Sequence, residues 1–341
     1  MKTNGLDFEA LRCASLVGEF SEHASIRVEK ANPARFLTPP DVVRANDVLY
    51  LPELRLQVIG GTMVPQEAVP EPWTLGFEIK RGFQGRAERY RSEFDRAYST
   101  QEVCILSNFY SRNFYHWVTE ELPKVVILER HGFAGRYVLA DLPKFAFELL
   151  GMLGVADDRV IVQVDQPTVF ATVLYTTSIH GWNVLEHHEV VLALRDSLLG
   201  TAGVSHLSNR LWMDRGVGVN NKGRELVNTE EVHAVLRRYG FEVVDMAALP
   251  VREQIAAAHN AAALAGPHGA GFVHVMFQKH RSSVIECFSP QFINPGVLEI
   301  CRLLNHRYSM LVHENAYDSY PFGHQLKINC SHLELALQGL Q

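Results

Sequence analysis

The sequence predicts an α/β protein with two domains, on three grounds: its length, its composition, and a regular alternation of strand-like and helix-like segments after residue 102. At roughly 150 residues per domain, 341 residues have room for two hydrophobic cores. Apolar residues make up 47% of the chain and charged residues 21%, which excludes the disordered, collagenous and coiled-coil classes. The formal charge of −6, from 32 basic and 38 acidic residues, lacks the cationic excess of a phosphate-tracking protein, so no nucleic-acid partner is expected.

Over 47–59 apolar and polar positions alternate, Gly60 and Gly61 break the pattern, and Pro65, Pro70 and Pro72 follow, so residues 1–100 read as β-rich. Strands are then expected at 102–107, 136–140, 159–164 and 172–177, with helices at 114–130 and 144–153, the grammar of parallel βαβ units. An amphipathic helix over 185–199 and a polar linker over 200–208 put a domain boundary near residue 205. The second half repeats the alternation. Strands at 210–214, 242–245, 261–265, 283–288 and 308–313, separated by helices at 229–239, 251–260, 270–277 and 295–304, predict a Rossmann-like sheet. The expected division is therefore 1–205, 206–320 and a tail over 321–341 whose helix, at 331–340, packs back on the first domain.

The five cysteines, Cys13, Cys104, Cys287, Cys301 and Cys330, are widely spaced without a C-x-x-C, and read as reduced thiols. Residues 1–20 carry charges where a signal peptide is apolar, and no window approaches ~18 uninterrupted apolar residues. The expectation is a cytoplasmic protein with no transmembrane segment, peripheral association with a membrane remaining open. There is no H-E-x-x-H and no D-x-D, and His187 and His188 are adjacent on a helix and point apart, so no catalytic metal is expected. The missing G-x-S-x-G argues against an α/β-hydrolase.

In open parallel sheets ligands sit outside the carboxyl ends of the strands, where helix N-termini offer amides to anions. Three loops there carry chemistry. Gly266-Pro-His268-Gly269-Ala270-Gly271 combines glycines that admit close backbone approach with a histidine that can donate to phosphate or ribose, against the plainer reading of a tight turn. The loop after 210–214 holds Arg215, Lys222 and Arg224 before a helix N-terminus, a cradle for a diphosphate or else a solvated loop. Its Gly216-Val-Gly218 lacks a third glycine at Asn221, so a nicotinamide or flavin site fits poorly. In the first half, Asn113-Phe-Tyr115-His116-Trp117-Val-Thr-Glu120-Glu-Leu-Pro123 puts His116 and Glu120 four apart on one helical face, where a carboxylate can orient an imidazole or itself take a proton. The plainer reading makes the aromatic residues core anchors. Pro123 is expected to kink or restart this helix.

Together these segments resemble glycosyltransferase family 61. The likeness runs over about residues 100–315 through 113–123, Arg215 with Arg224 and 227–231, Gln254, 266–271 with Phe277, and 284–287. It implies an inverting, metal-independent glycosyltransferase of GT-B architecture, with two Rossmann-like domains facing a central cleft. No cofactor is implied beyond a nucleoside-diphosphate sugar donor, expected to be UDP-linked. The partner is a glycan acceptor in polysaccharide biosynthesis, such as capsule or lipopolysaccharide. The loop at 216–223 is longer and more glycine-rich than the family pattern. On this reading His116 or Glu120 is the base, with Asn113, Tyr115 and Trp117 on the acceptor side. Arg215, Arg224, His268 and the amides of Gly269, Ala270 and Gly271 meet the diphosphate. Asn228 and Gln254 are further donor candidates, and Glu286 binds the ribose hydroxyls or else caps the following loop. A sugar-nucleotide epimerase-like enzyme and a non-catalytic glycan-binding protein of the same fold are the alternatives.

Overall fold

The computed structural model describes residues 2–3, 26–59, 62–64, 88–90, 92–108, 110–176, 179, 183–214, 226–290, 293–313 and 326–340. The chain divides into two compact units, Met1–Ile179 and His180–Gln341.

The strands of the first unit are β1 (Lys2–Thr3), β2 (Ile26–Lys30), β3 (Asp41–Leu51), β4 (Leu56–Ile59), β5 (Thr62–Val64), β6 (Phe94–Asp95), β7 (Ala97–Ile105), β8 (Arg136–Leu139), β9 (Val160–Val162) and β10 (Thr168–Thr176). β1 and β6 form a separate antiparallel pair. The others make one sheet in the order β5-β4-β3-β10-β7-β8-β9, with β2 also on β3. The β-rich start and the βαβ segment are two halves of this sheet. β10 joins them, antiparallel to β3 and parallel to β7. Alternation explains the core: Val43, Ala45, Val48, Tyr50, Val103, Ile105, Phe170, Val173 and Tyr175 are buried in one cluster. After β7 the chain turns into helix, Phe114–His116, then a π turn over Trp117–Glu121, then α-helix over Leu122–His131. The π turn answers the sequence at Pro123. Leu122 N–H donates back to Trp117 O, five residues away, and the widened turn accommodates a ring that would crowd a regular α-turn.

The second unit contains β11 (Arg210–Met213), β12 (Glu242–Val244), β13 (Ala263–Pro267), β14 (Ser283–Phe288) and β15 (Arg307–Val312). They form an all-parallel sheet in the order β12-β11-β13-β14-β15. The order reverses between β11 and β13, the doubly wound arrangement in which ligands bind at the switch point. At that point the two backbones nearly touch: a Cβ built on Gly266 would lie 2.6 Å from Met213 O, so only glycine fits.

Two expectations are corrected. The division falls after Ile179 and not near residue 205, because the helix His188–Leu199 belongs to the second unit: Arg195 donates from Nε to Met276 O (2.9 Å) and from Nη2 to Gln278 O (3.0 Å). The closing helix, Cys330–Gln338, was expected on the first domain; its apolar face, Leu333 and Leu337, is buried in the second unit's core with Trp212, Val232 and Leu236. The helix expected at 270–277 is present with those bounds and is of the tighter 310 kind, closed by bonds such as Phe272 N–H to Gly269 O (2.9 Å).

No helix among the described residues is long and apolar enough to cross a membrane. Cys104, Cys287 and Cys301 are buried free thiols and Cys330 is a half-buried one.

Candidate active site

The first unit gathers polar side chains at the carboxyl end of β7. Asn108 turns the chain: its Oδ1 accepts from Tyr110 N–H (2.7 Å) and from the Ser111 hydroxyl (3.0 Å). Asn113 starts the helix by accepting from Tyr115 N–H (2.9 Å), as an N-cap does. One turn on, His116 Nδ1 lies 2.6 Å from Glu120 Oε1, and the ring stacks on Tyr110 at 4.9 Å between centroids. Glu120 is buried, and its Oε2 accepts from Asn108 Nδ2 (3.3 Å). A carboxylate accepts, so the His116 proton on that side sits on Nδ1 and Nε2 is the basic nitrogen of the neutral ring. His116 is half-buried, with 31% of its side chain exposed, enough for a substrate to reach it.

Beneath this pair lies an ion pair that the sequence reading missed. Lys124 Nζ donates to Glu121 Oε2 (2.9 Å), and Glu121 Oε1 lies 3.0 Å from the Ser111 hydroxyl, whose single proton it shares with Asn108 Oδ1. Both charged residues are buried. Their three-residue spacing was legible; that they face inward was not, since charges on a helix usually face water. Through Ser111 and Asn108 this pair braces the turn that leads into the helix carrying His116. Trp117, expected on the acceptor side, is fully buried and serves the core instead. Tyr115 is half-buried and Asn113 exposed.

In the second unit the candidates His268, Gly269, Ala270 and Gly271 follow β13, next to the switch point. They are half-buried, while Gly266 and Pro267 before them and Phe272 after them are buried. His268 Nδ1 lies 2.5 Å from Glu286 Oε1, and its ring stacks on Phe288 with centroids 4.6 Å apart and planes 21° apart. Glu286 is fully buried and its Oε2 accepts from the Tyr308 hydroxyl (2.7 Å). Both oxygens thus have partners inside the unit, Oε1 facing the His268 ring and Oε2 the Tyr308 hydroxyl. Burial and the neighbouring Glu286 push the Tyr308 phenol well up, which keeps it a donor.

Two further donor candidates are also used internally. Gln254 is buried, donates from Nε2 to Leu249 O (2.8 Å), and meets His274 Nε2 at 3.0 Å. His274 Nδ1 lies 2.6 Å from Gly271 O, which can only accept, so this pair anchors the glycine turn from below. Asn228 holds the segment before the last helix: Nδ2 donates to Ile328 O (2.8 Å) and Oδ1 accepts from Ile328 N–H (3.0 Å). Arg215 and Arg224 lie outside the described residues. Among the described residues no group of three or more His, Cys, Asp or Glu side chains is placed to hold a metal ion.

A family model described as Glycosyltransferase 61 matches residues 114–285, just over half of the chain. The matched stretch begins in the helix of His116 and ends one residue before Glu286. No curated protein matches the chain.

Proposed function

The chain belongs to glycosyltransferase family 61, and from that premise we propose that it moves a sugar from a nucleoside diphosphate to a hydroxyl of a glycan acceptor in polysaccharide biosynthesis. The reaction is a single, inverting displacement that needs no metal. The GT-B arrangement belongs to the same proposal, the second unit binding the donor and the first supplying the base.

The observation that supports this reading most is the pairing of His116 with buried Glu120 at the carboxyl end of β7. Between the two base candidates it favours His116. Glu120 is buried and occupied by His116 and Asn108, whereas the half-buried imidazole carries its basic atom at Nε2. In the proposed step Nε2 takes the acceptor's hydroxyl proton, the hydroxyl oxygen bonds to the anomeric carbon, and the bond from that carbon to the diphosphate breaks. The leaving charge falls on phosphate oxygens. Arg215, Arg224, the amides of Gly269, Ala270 and Gly271, and Nε2–H of an imidazolium at His268 stabilise it.

Replacing His116 by Ala is expected to lower transfer about a hundredfold or more with donor binding kept, and to lower the melting temperature because buried Glu120 loses a partner. The assay is nucleoside-diphosphate release, once a panel of nucleotide sugars has identified the donor. A variant that retains a tenth or more of the wild-type rate excludes His116 as the base.

A further inference from the structure

Tyr308 and Glu286 lie on neighbouring strands, and His268 directly follows the next one, β13, so that the three side chains form a row on one face of the second sheet. Tyr308 pairs in register with Val284, two residues before Glu286, and Glu286 pairs with Gly266, two residues before His268. Register partners share a face, as do residues two apart along a strand, so the three side chains climb diagonally toward the carboxyl edge. Gly266 contributes no side chain to that row. Phe288, two residues beyond Glu286, closes it by stacking on the imidazole.

We propose that Tyr308 is a positioning residue for His268. Its hydroxyl donates to Oε2 of Glu286 (2.7 Å), which holds the buried carboxylate so that Oε1 faces Nδ1 of His268 (2.5 Å). The carboxylate keeps a proton on Nδ1 and so presents Nε2 at the glycine turn, where a second proton gives the imidazolium that donates to the diphosphate. Without the hydroxyl, Glu286 is free to rotate and the imidazole loses both its fixed orientation and its fixed tautomer. This goes beyond the transferase reading but rests on it in one respect: that reading makes a diphosphate the group that meets Nε2.

The test is nitrogen-15 NMR of the histidine rings in the full chain, with the His268 signals identified by their loss in His268→Gln. Wild type is expected to show the neutral ring as the Nδ1–H tautomer. Tyr308→Phe is expected to mix in the Nε2–H tautomer of the ligand-free ring and, because Glu286 then no longer holds Nδ1–H of the imidazolium that meets the diphosphate, to weaken UDP binding, measured calorimetrically, about tenfold. Glu286→Gln provides a second route to the same loss of preference should the phenylalanine variant fold poorly. An unchanged His268 tautomer in the folded variants overturns the proposal. A tautomer change in a protein that binds no UDP upholds the positioning role and overturns the nucleotide reading instead.

Discussion

Two histidines are each bonded through Nδ1 to a buried glutamate, and the two pairs were not equally legible. His116 and Glu120 are four apart on a helix, a spacing that by itself declares a shared face. His268 and Glu286 are eighteen apart, one just beyond the end of β13 and the other on β14, and only the register of those strands brings them together. A third histidine matters for stability. Burial pushes His274 down to about 4, against an ordinary value near 6.5, with the Gly271 carbonyl acting in the opposite sense. Its folded value is the lower one, so the unfolded chain takes up the proton first. The stability it permits is complete above about pH 6.5 and is lost as pH falls toward 4. His313, also held down to about 4 chiefly by burial, acts in the same direction. Denaturant melts are expected to show stability falling by about 1 kcal/mol or more per pH unit per ring between pH 6.5 and 5. A flat profile over that window contradicts the assignment.

At the scale of elements, most strands and helices after residue 102 were readable because their apolar periods are clean. The departures have local causes. Pro123 lacks an amide hydrogen and is met by a π turn, and the glycine turn feeds a 310 helix tied by His274 to Gly271. The ion pair of Glu121 with Lys124 was not legible because inward burial of a lysine depends on tertiary packing. β13 carries the sharpest test. In Gly266→Ala the new Cβ would meet Met213 O at 2.6 Å, forcing β11 and β13 apart. The expected cost is about 1–3 kcal/mol, read as a lowered unfolding midpoint. A variant as stable as wild type would mean that the two strands need not approach so closely.

For the whole molecule, the sequence conveyed that there are two α/β units, but not where they part. The polar stretch over 200–208 looks like a linker, yet Arg195 and the apolar face of its helix are committed to the second unit, and the division falls after Ile179. The second unit's sheet order, β12-β11-β13-β14-β15, could not be read from the sequence, because pattern identifies strands and not their neighbours. That order makes the ends of β11 and β13 the switch point and puts His268 beside it. The central claim is that a nucleoside diphosphate binds there. The most direct measurement is the melting temperature with and without UDP in the presence of a chelator, since a ligand of the folded state stabilises by about 2.7 kcal/mol at a hundred times its dissociation constant. A rise of several degrees in wild type, strongly reduced in His268→Ala, is the predicted result. No rise with UDP or any other nucleoside diphosphate, or an equal rise in the variant, would contradict it.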